Sequence, residues 1–322
     1  MKMADLVEAE NSITRSEAEL AAVTVRLEGR LAPAERRKLV RERARLEEAI
    51  RASLSPMDRV RLARNPNRPQ TQDYIDALVT DFIELHGDRR YADDGAIIAG
   101  MGFFRRRPIA VAGHQRGRST QDRLRRNFGK PFPEGYRKAA RLFDLANRFR
   151  IPVVTFIDTQ GAEPGVGAEE RGQGEAIAAN LELMARLEVP LISCVIGEGG
   201  SGGALALGVG NAILMQENAC YSVITPEGCA AILWREGGPE KVAEAAAALK
   251  LSAPDLKRLG VIDAIVPEPP GGAHRNPAAA IAAMGAEIGR RLARLVQKKP
   301  AELRRERERK FAAMGNAFLI ES

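Results

Sequence analysis

Leu191-Ile-Ser-Cys-Val-Ile-Gly-Glu-Gly-Gly-Ser-Gly-Gly-Ala-Leu-Ala-Leu-Gly208 is the stretch on which the reading of this 322-residue chain turns. The apolar run Leu191–Ile196 predicts a buried strand, and the small residues from Gly203 to Gly208 predict a short helix. Five glycines fall within residues 197–203. One glycine would serve a tight strand-to-helix corner. Five point to a site where a ligand approaches bare backbone, with Gly199, Gly200, Gly202 and Gly203 as its candidates. The N–H groups that open a helix have no intrahelical acceptor. They suit an anion, or an oxygen that gains negative charge.

Moving towards the N-terminus, Val153–Ile157 predicts a second buried strand, followed by Asp158-Thr-Gln-Gly-Ala-Glu-Pro-Gly-Val-Gly-Ala-Glu-Glu-Arg-Gly-Gln173. This loop feeds a helix expected over 169–187, with Glu169 and Glu170 in its favourable first turn. Gly161, Gly165 and Gly167 are its candidate binding residues. Two neighbouring strands that end alike would set two groups of backbone donors beside one cleft. Further out, Ala96–Ala99 and Pro108–Gly113 predict strands joined at Arg105-Arg-Arg107, and Gly135–Arg150 predicts a helix. On the other side Ala212–Met215 predicts a strand. Apolar strands separated by helices make an α/β domain with a buried sheet.

The ends of the chain read differently. Ile13, Leu20 and Leu27, with Val23 between, and then Leu39, Leu46 and Ile50, keep a seven-residue spacing among charges. Gly29-Arg-Leu-Ala-Pro33 interrupts it, which predicts a helical hairpin with Pro33 in the first turn of its second arm. Asn65-Pro-Asn-Arg-Pro69 reads as a linker. The expected divisions are 1–66 for the hairpin, 67–300 for the α/β domain and 301–322 for a charged tail, helical over Glu302–Lys310.

Composition narrows the function. With 49 basic and 42 acidic residues the net charge is +7, which suits an anionic ligand or an acidic partner. Aromatics are 5% of the chain, too few to stack bases, so nucleic acid is disfavoured. Cys194, Cys220 and Cys229 form no Cys-x-x-Cys pair, and His86, His114 and His274 lack ligand spacing, so no metal is expected. The start, Met1-Lys-Met-Ala-Asp-Leu-Val-Glu, has no apolar core, and no apolar run reaches the length of a membrane span. The expectation is a soluble, cytoplasmic protein. No phosphate-binding loop with its lysine is present, which disfavours a kinase or ATPase.

Two other motifs overlap the glycine run. Gly197-x-Gly199-x-x-Gly202, with Glu217 beyond, fits a dinucleotide fingerprint, but the expected helix is too short for that unit. Gly199-x-Ser201-x-Gly203 fits a nucleophile elbow, with Asp263 and His274 following in hydrolase order. A serine hydrolase is therefore one rival reading, and a scaffold subunit without chemistry is another.

Longer strings identify a resemblance. Gly113-His-Gln-Arg-Gly-Arg118, Arg126-Asn-Phe-Gly-Lys-Pro131, Pro133-Glu-Gly-Tyr-Arg-Lys-Ala139 and Pro164–Gln173 resemble the α subunits of bacterial acetyl-CoA carboxylase carboxyltransferase. So do Gly197–Ala206, Pro226-Glu-Gly-Cys-Ala230 and Gly271-Gly-Ala-His-Arg-Asn-Pro277. The resemblance implies a crotonase-like (ClpP/crotonase) spiral of ββα units. It implies carboxyl transfer from carboxybiotin, on a biotin carboxyl carrier protein, to acetyl-CoA, giving malonyl-CoA for fatty-acid synthesis. It also implies a site shared with a zinc-ribbon β subunit, association with biotin carboxylase, and an α2β2 assembly. Gly202 and Gly203 are, by resemblance, the donors to the ureido oxygen of biotin. The family has proline and tyrosine where this chain has Gln160 and Glu163. Glu163 is expected to repel an anionic carboxybiotin.

Overall fold

The computed structural model of the chain describes residues 18–234 and 238–316. They fall into two compact units, the first ending at Asp58 and the second beginning at Arg59. In the first unit, helices over 18–28 and Pro33–Ser53 bury Leu20, Val23 and Leu27 with Leu39, Leu46 and Ile50. This is the expected hairpin stripe, and Pro33 opens its second arm. Ile13, which shares the spacing, lies outside the described residues.

The second unit is built on one sheet. Its strands are β1 Thr80–Glu84, β2 Ile97–Phe104, β3 Arg107–His114, β4 Val153–Thr159, β5 Leu191–Gly200, β6 Ala212–Gln216, β7 Cys220–Ser222 and β8 Ala264–Val266. They are ordered β1-β2-β3-β4-β5-β6-β8, with β7 also paired to β5. The first three strands are antiparallel, and every pairing from β3 onward is parallel. Arg105 and Arg106, both at positive φ, make the tight β2–β3 turn. Helix Pro133–Arg148 links β3 to β4, and helix Gln173–Arg186 lies between β4 and β5. This succession is the expected spiral of strands and helices.

Both faces of the sheet are covered, so its central strands are apolar throughout rather than alternating. Val153, Ile157, Leu191 and Val195 meet Leu142, Phe143 and Met184 of those two helices. Val154, Phe156, Ile192 and Cys194 meet Ile281, Ile288 and Leu292 of helix Pro277–Leu295.

Three local features depart from the sequence reading. The helix expected over 169–187 is two pieces, Val166–Glu170 and Gln173–Arg186, divided where Gly172 takes φ 81°. β5 does not stop at Ile196 but continues to Gly200, and the short helix is Ser201–Leu205. Finally, Asn65–Pro69 is more than a connection, because it carries a buried arginine. β5 pairs with β6 as far as Val195 and with β7 from Glu198. Arg68 fills the interval, donating to the carbonyl of Ile196 at 3.0 and 3.2 Å and to both oxygens of Glu268.

Candidate active site

β4 and β5 run side by side in one register as far as Ile157 opposite Val195; an irregularity then shifts the register, and the pairing ends with Thr159 opposite Gly199. The two glycine-bearing segments therefore leave the same end of the sheet, and they meet. A Cβ on Gly200 would lie 2.1 Å from the Gln160 carbonyl oxygen. One on Gly203 would lie 2.5 Å from the Ala162 nitrogen and 2.9 Å from the Tyr136 hydroxyl. Gly197 and Gly199 are equally confined, the first by the Asp158 carboxylate at 2.4 Å and the second by the Tyr221 ring at 2.8 Å. In the direction a side chain would take, each of these four glycines meets a protein neighbour. Gly202 is different: it is half-exposed, and a Cβ there would touch only Ile177, at 3.6 Å.

The β4 exit is held by side chains. The Thr159 hydroxyl donates to the Gly161 carbonyl and accepts from the Gly161 N–H, and Gly161 needs its φ of 153°. The buried amide of Gln173 donates to the carbonyls of Pro131 and Glu163. Glu163 accepts from the Gly165 N–H at 3.0 Å on one oxygen and from the Asn127 amide at 2.7 Å on the other. Gly165 lies against that carboxylate and Gly167 beside the Arg171 guanidinium. Among the described residues, the Ala162 N–H finds no acceptor. Sequence reasoning passes over Ala162, whose only cue is its place after Gly161.

Titratable groups lie beneath the junction. His114, at the end of β3, is completely buried. Burial pulls its pKa down to about 3, against the backbone at Gly203 and Phe156, which favours the charged form. It is therefore a neutral imidazole under the Gly203 peptide. The Tyr136 hydroxyl is held well above its ordinary pKa by burial and by Asp94.

Beside Gln160 lies a cavity of about 290 Å³, bounded by Arg64, Arg116, Arg123, Asp158 and Phe128. Arg64 is engaged by Glu198 and Glu227, and Arg116 by Asp158 at 3.1 Å. Burial raises the Asp158 pKa, opposed by Arg116 and by the Glu198 N–H.

The rival motifs do not assemble. Asp263 accepts from the Ile213 N–H near the start of β6 and pairs with Lys310. Ile213 is level with Ser193, seven strand residues before Gly200, or about 23 Å from it at roughly 3.3 Å per residue. Ser201, just past Gly200, is therefore at the opposite end of the strands from Asp263, and no serine triad exists. The dinucleotide fingerprint fails as well, since Gly197 and Gly199 are inside a strand and the helix that follows is only Ser201–Leu205. Among the described residues, no His, Cys, Asp and Glu group is arranged to hold a metal ion. None of the described helices is long and apolar enough to cross a membrane.

Comparison with known proteins agrees with this geometry. The family described as acetyl co-enzyme A carboxylase carboxyltransferase-like matches residues 6–315. The acetyl-coenzyme A carboxylase carboxyl transferase subunit alpha of Aquifex aeolicus is 54% identical over 288 residues, covering 89% of this chain and 87% of that one. Its counterpart in Thioalkalivibrio sulfidiphilus is 61% identical over 232 residues, 72% of each chain. In fold, the chain is similar to transcarboxylase 12S, with a TM-score of 0.58 at 22% identity over 72% of this chain and 42% of that one. That fold is the crotonase type. With a sheet that ends in two apposed glycine segments and a match along nearly its whole length, the chain belongs to the acetyl-CoA carboxylase carboxyltransferase family, among its α subunits.

Proposed function

We propose that this chain forms the biotin-facing half of a carboxyltransferase that passes the carboxyl group of carboxybiotin to acetyl-CoA. Family membership carries the reaction, and one observation carries the site: the apposition of the Ala162 backbone and Gly203, next to the open Gly202, where the β4 and β5 exits meet. The residues present fit biotin. Ala162 has an N–H without an acceptor among the described residues, and Gly202 leaves room for a ligand atom. Carboxybiotin, carried by its own protein, would supply the carboxyl group. The chain's part is electrostatic. N–H groups of Ala162, Gly202 and Gly203 are oriented before reaction and would donate to an oxygen as its negative charge grows. No side-chain base is required. This agrees with His114, the nearest imidazole, being buried and neutral.

A β subunit would complete the site. Val166, Leu205, Val223, Ile232 and Leu233 are exposed apolar residues on segments that leave β4, β5 and β7. An apolar border of this kind around a site marks a surface that a partner covers. The carrier protein, biotin carboxylase and an α2β2 arrangement follow from the same reading, as does a cytoplasmic location.

Purified alone, the chain should not decarboxylate malonyl-CoA in the presence of free biotin, and it should do so once a family β subunit is added. Full activity of the chain alone would end the shared-site reading. No activity in the reconstituted pair would favour a scaffold role.

A further inference from the structure

Asn127, Phe128 and Gly129 are three successive residues in the left-handed region, with φ of 43°, 55° and 76°. Glycine and asparagine tolerate this region but the Phe128 side chain disfavours it, so the turn needs outside support. Besides the backbone bonds from the Gly129 N–H to the Arg126 carbonyl and from the Lys130 N–H to the Asn127 carbonyl, its side-chain support comes from the Asn127 amide. Asn127 donates from its Nδ2 to the Lys130 carbonyl at 3.0 Å and to the Glu163 carboxylate at 2.7 Å. The opposite oxygen of Glu163 is occupied by the Gly165 N–H. Glu163 also joins the two segments through its backbone, its N–H donating to the Pro131 carbonyl at 3.0 Å. One residue before it stands Ala162, whose nitrogen lies against Gly203.

From these contacts we infer that Glu163 is a positioning residue, which latches the β4 exit to the 127–131 turn and so fixes the Ala162 peptide against Gly203. It does not face the ligand as a repelling charge, since a hydrogen-bond donor occupies each of its two oxygens. A free carboxylate at the mouth of a site would have been neither fixed nor half-buried. The latch also holds Phe128, which is 48% exposed, on the wall of the arginine-lined cavity next to Gln160. The loop's proline-to-glutamine and tyrosine-to-glutamate departures therefore do not leave it loose. A polar clasp holds it.

The test exchanges the two ends of the clasp. In Glu163→Gln the new amide has one acceptor oxygen for two donors, so its NH2 faces either the Asn127 amide or the Gly165 N–H, donor against donor. In Asn127→Asp two carboxylates meet, while the left-handed backbone is still tolerated. Combining them restores the donor–acceptor pair between positions 127 and 163 with the net charge unchanged and leaves the amide oxygen for Gly165, while the Lys130 carbonyl loses its donor. Hydrogen exchange of residues 159–165 in the full chain should rise about tenfold or more in each single variant and fall back most of the way in the double variant, which regains the 127–163 bond but not the one to Lys130. The activity measurement rests on the carboxyltransferase reading. With the β subunit present, each single variant should lose about tenfold to hundredfold in kcat, with KM for biotin nearly constant, and the double variant should recover. A single variant that fails to fold, beside a double variant that folds and works, counts for the latch. Unchanged exchange in both single variants, or a double variant no better than the worse single, overturns it. So does a fall in KM for biotin in Glu163→Gln, the mark of relieved repulsion. If the unaltered pair is inactive while exchange follows the clasp, the activity reading fails and the latch stands.

Discussion

The exits of β4 and β5 are adjacent, parallel and both rich in glycine, yet they are built on opposite principles. On the β5 side Gly197, Gly199, Gly200 and Gly203 are glycine because a neighbour already occupies the place of a side chain. On the β4 side Thr159, Glu163 and Gln173 hold the loop by hydrogen bonds, and only Gly161 is required by its backbone angle among the three candidates there. One exit is fixed by contact and the other by polar side chains. Glycine content alone does not distinguish a ligand-binding loop from a tightly packed one.

The sharpest way to break this comparison is Gly200→Ala. With a backbone oxygen 2.1 Å from the new methyl group, relief requires the Gln160 segment to move, so the loss of stability should be about 3 kcal/mol or more. Thermal melting of the full chain measures it. A melting point unchanged from that of the parent would mean that the β5 exit is not packed as described. The same geometry applies to Gly203→Val, whose side chain would drive into Gly161 and Ala162 rather than into a ligand, so a loss of activity there would carry a folding defect with it.

A smaller effect is expected from His114 beneath the same exit. Its pKa falls from 6.5 to about 3 on folding, so below 6.5 the unfolded chain takes up a proton that the folded chain refuses. The stability contributed is complete above 6.5 and is lost as pH drops towards 3, by up to about 1.4 kcal/mol per pH unit. Melting at pH 7 and pH 5 should therefore differ more for the parent than for His114→Gln. Equal slopes would place the imidazole in contact with solvent. The smallest effect on stability belongs to Gly202→Ala, within about 0.5 kcal/mol, because the space is open and alanine suits a helix. Its consequence should appear in kcat of the reconstituted pair instead. Ser201→Ala should be milder still in activity, and a dead but folded Ser201→Ala would contradict a mechanism without a nucleophile.

Much of this architecture is legible in the residues alone. Val153–Ile157, Leu191–Ile196 and Ala212–Met215 announce themselves as strands because both faces of the sheet are buried, and the hairpin announces itself by its spacing of leucines. β1, β7 and β8 leave no such signal: the first is an edge strand with polar residues, and the other two are three residues long. The extension of β5 is hidden because the same glycines that end a strand in most sequences here allow two backbones to approach. The meeting of the two exits follows from strand adjacency. Ala162 and the clasp at Glu163 do not, since an alanine bears no chemical signature and a glutamate's partner 36 residues away cannot be read from spacing.

Arg68 sets an order on assembly. Its acceptor at Ile196 is 128 residues further along the chain and its counter-charge at Glu268 is 200 further. A growing chain exposes this guanidinium long before either exists, and a cation without its partner has no place in an apolar interior. The interval between β6 and β7 can thus be closed only after the last strand has been added, an event that protection of the Asn218 N–H, which donates to Glu268, would register late during refolding. The segment that looks like a tether between two units behaves as the final bolt of the sheet, drawn only when synthesis has delivered everything it fastens.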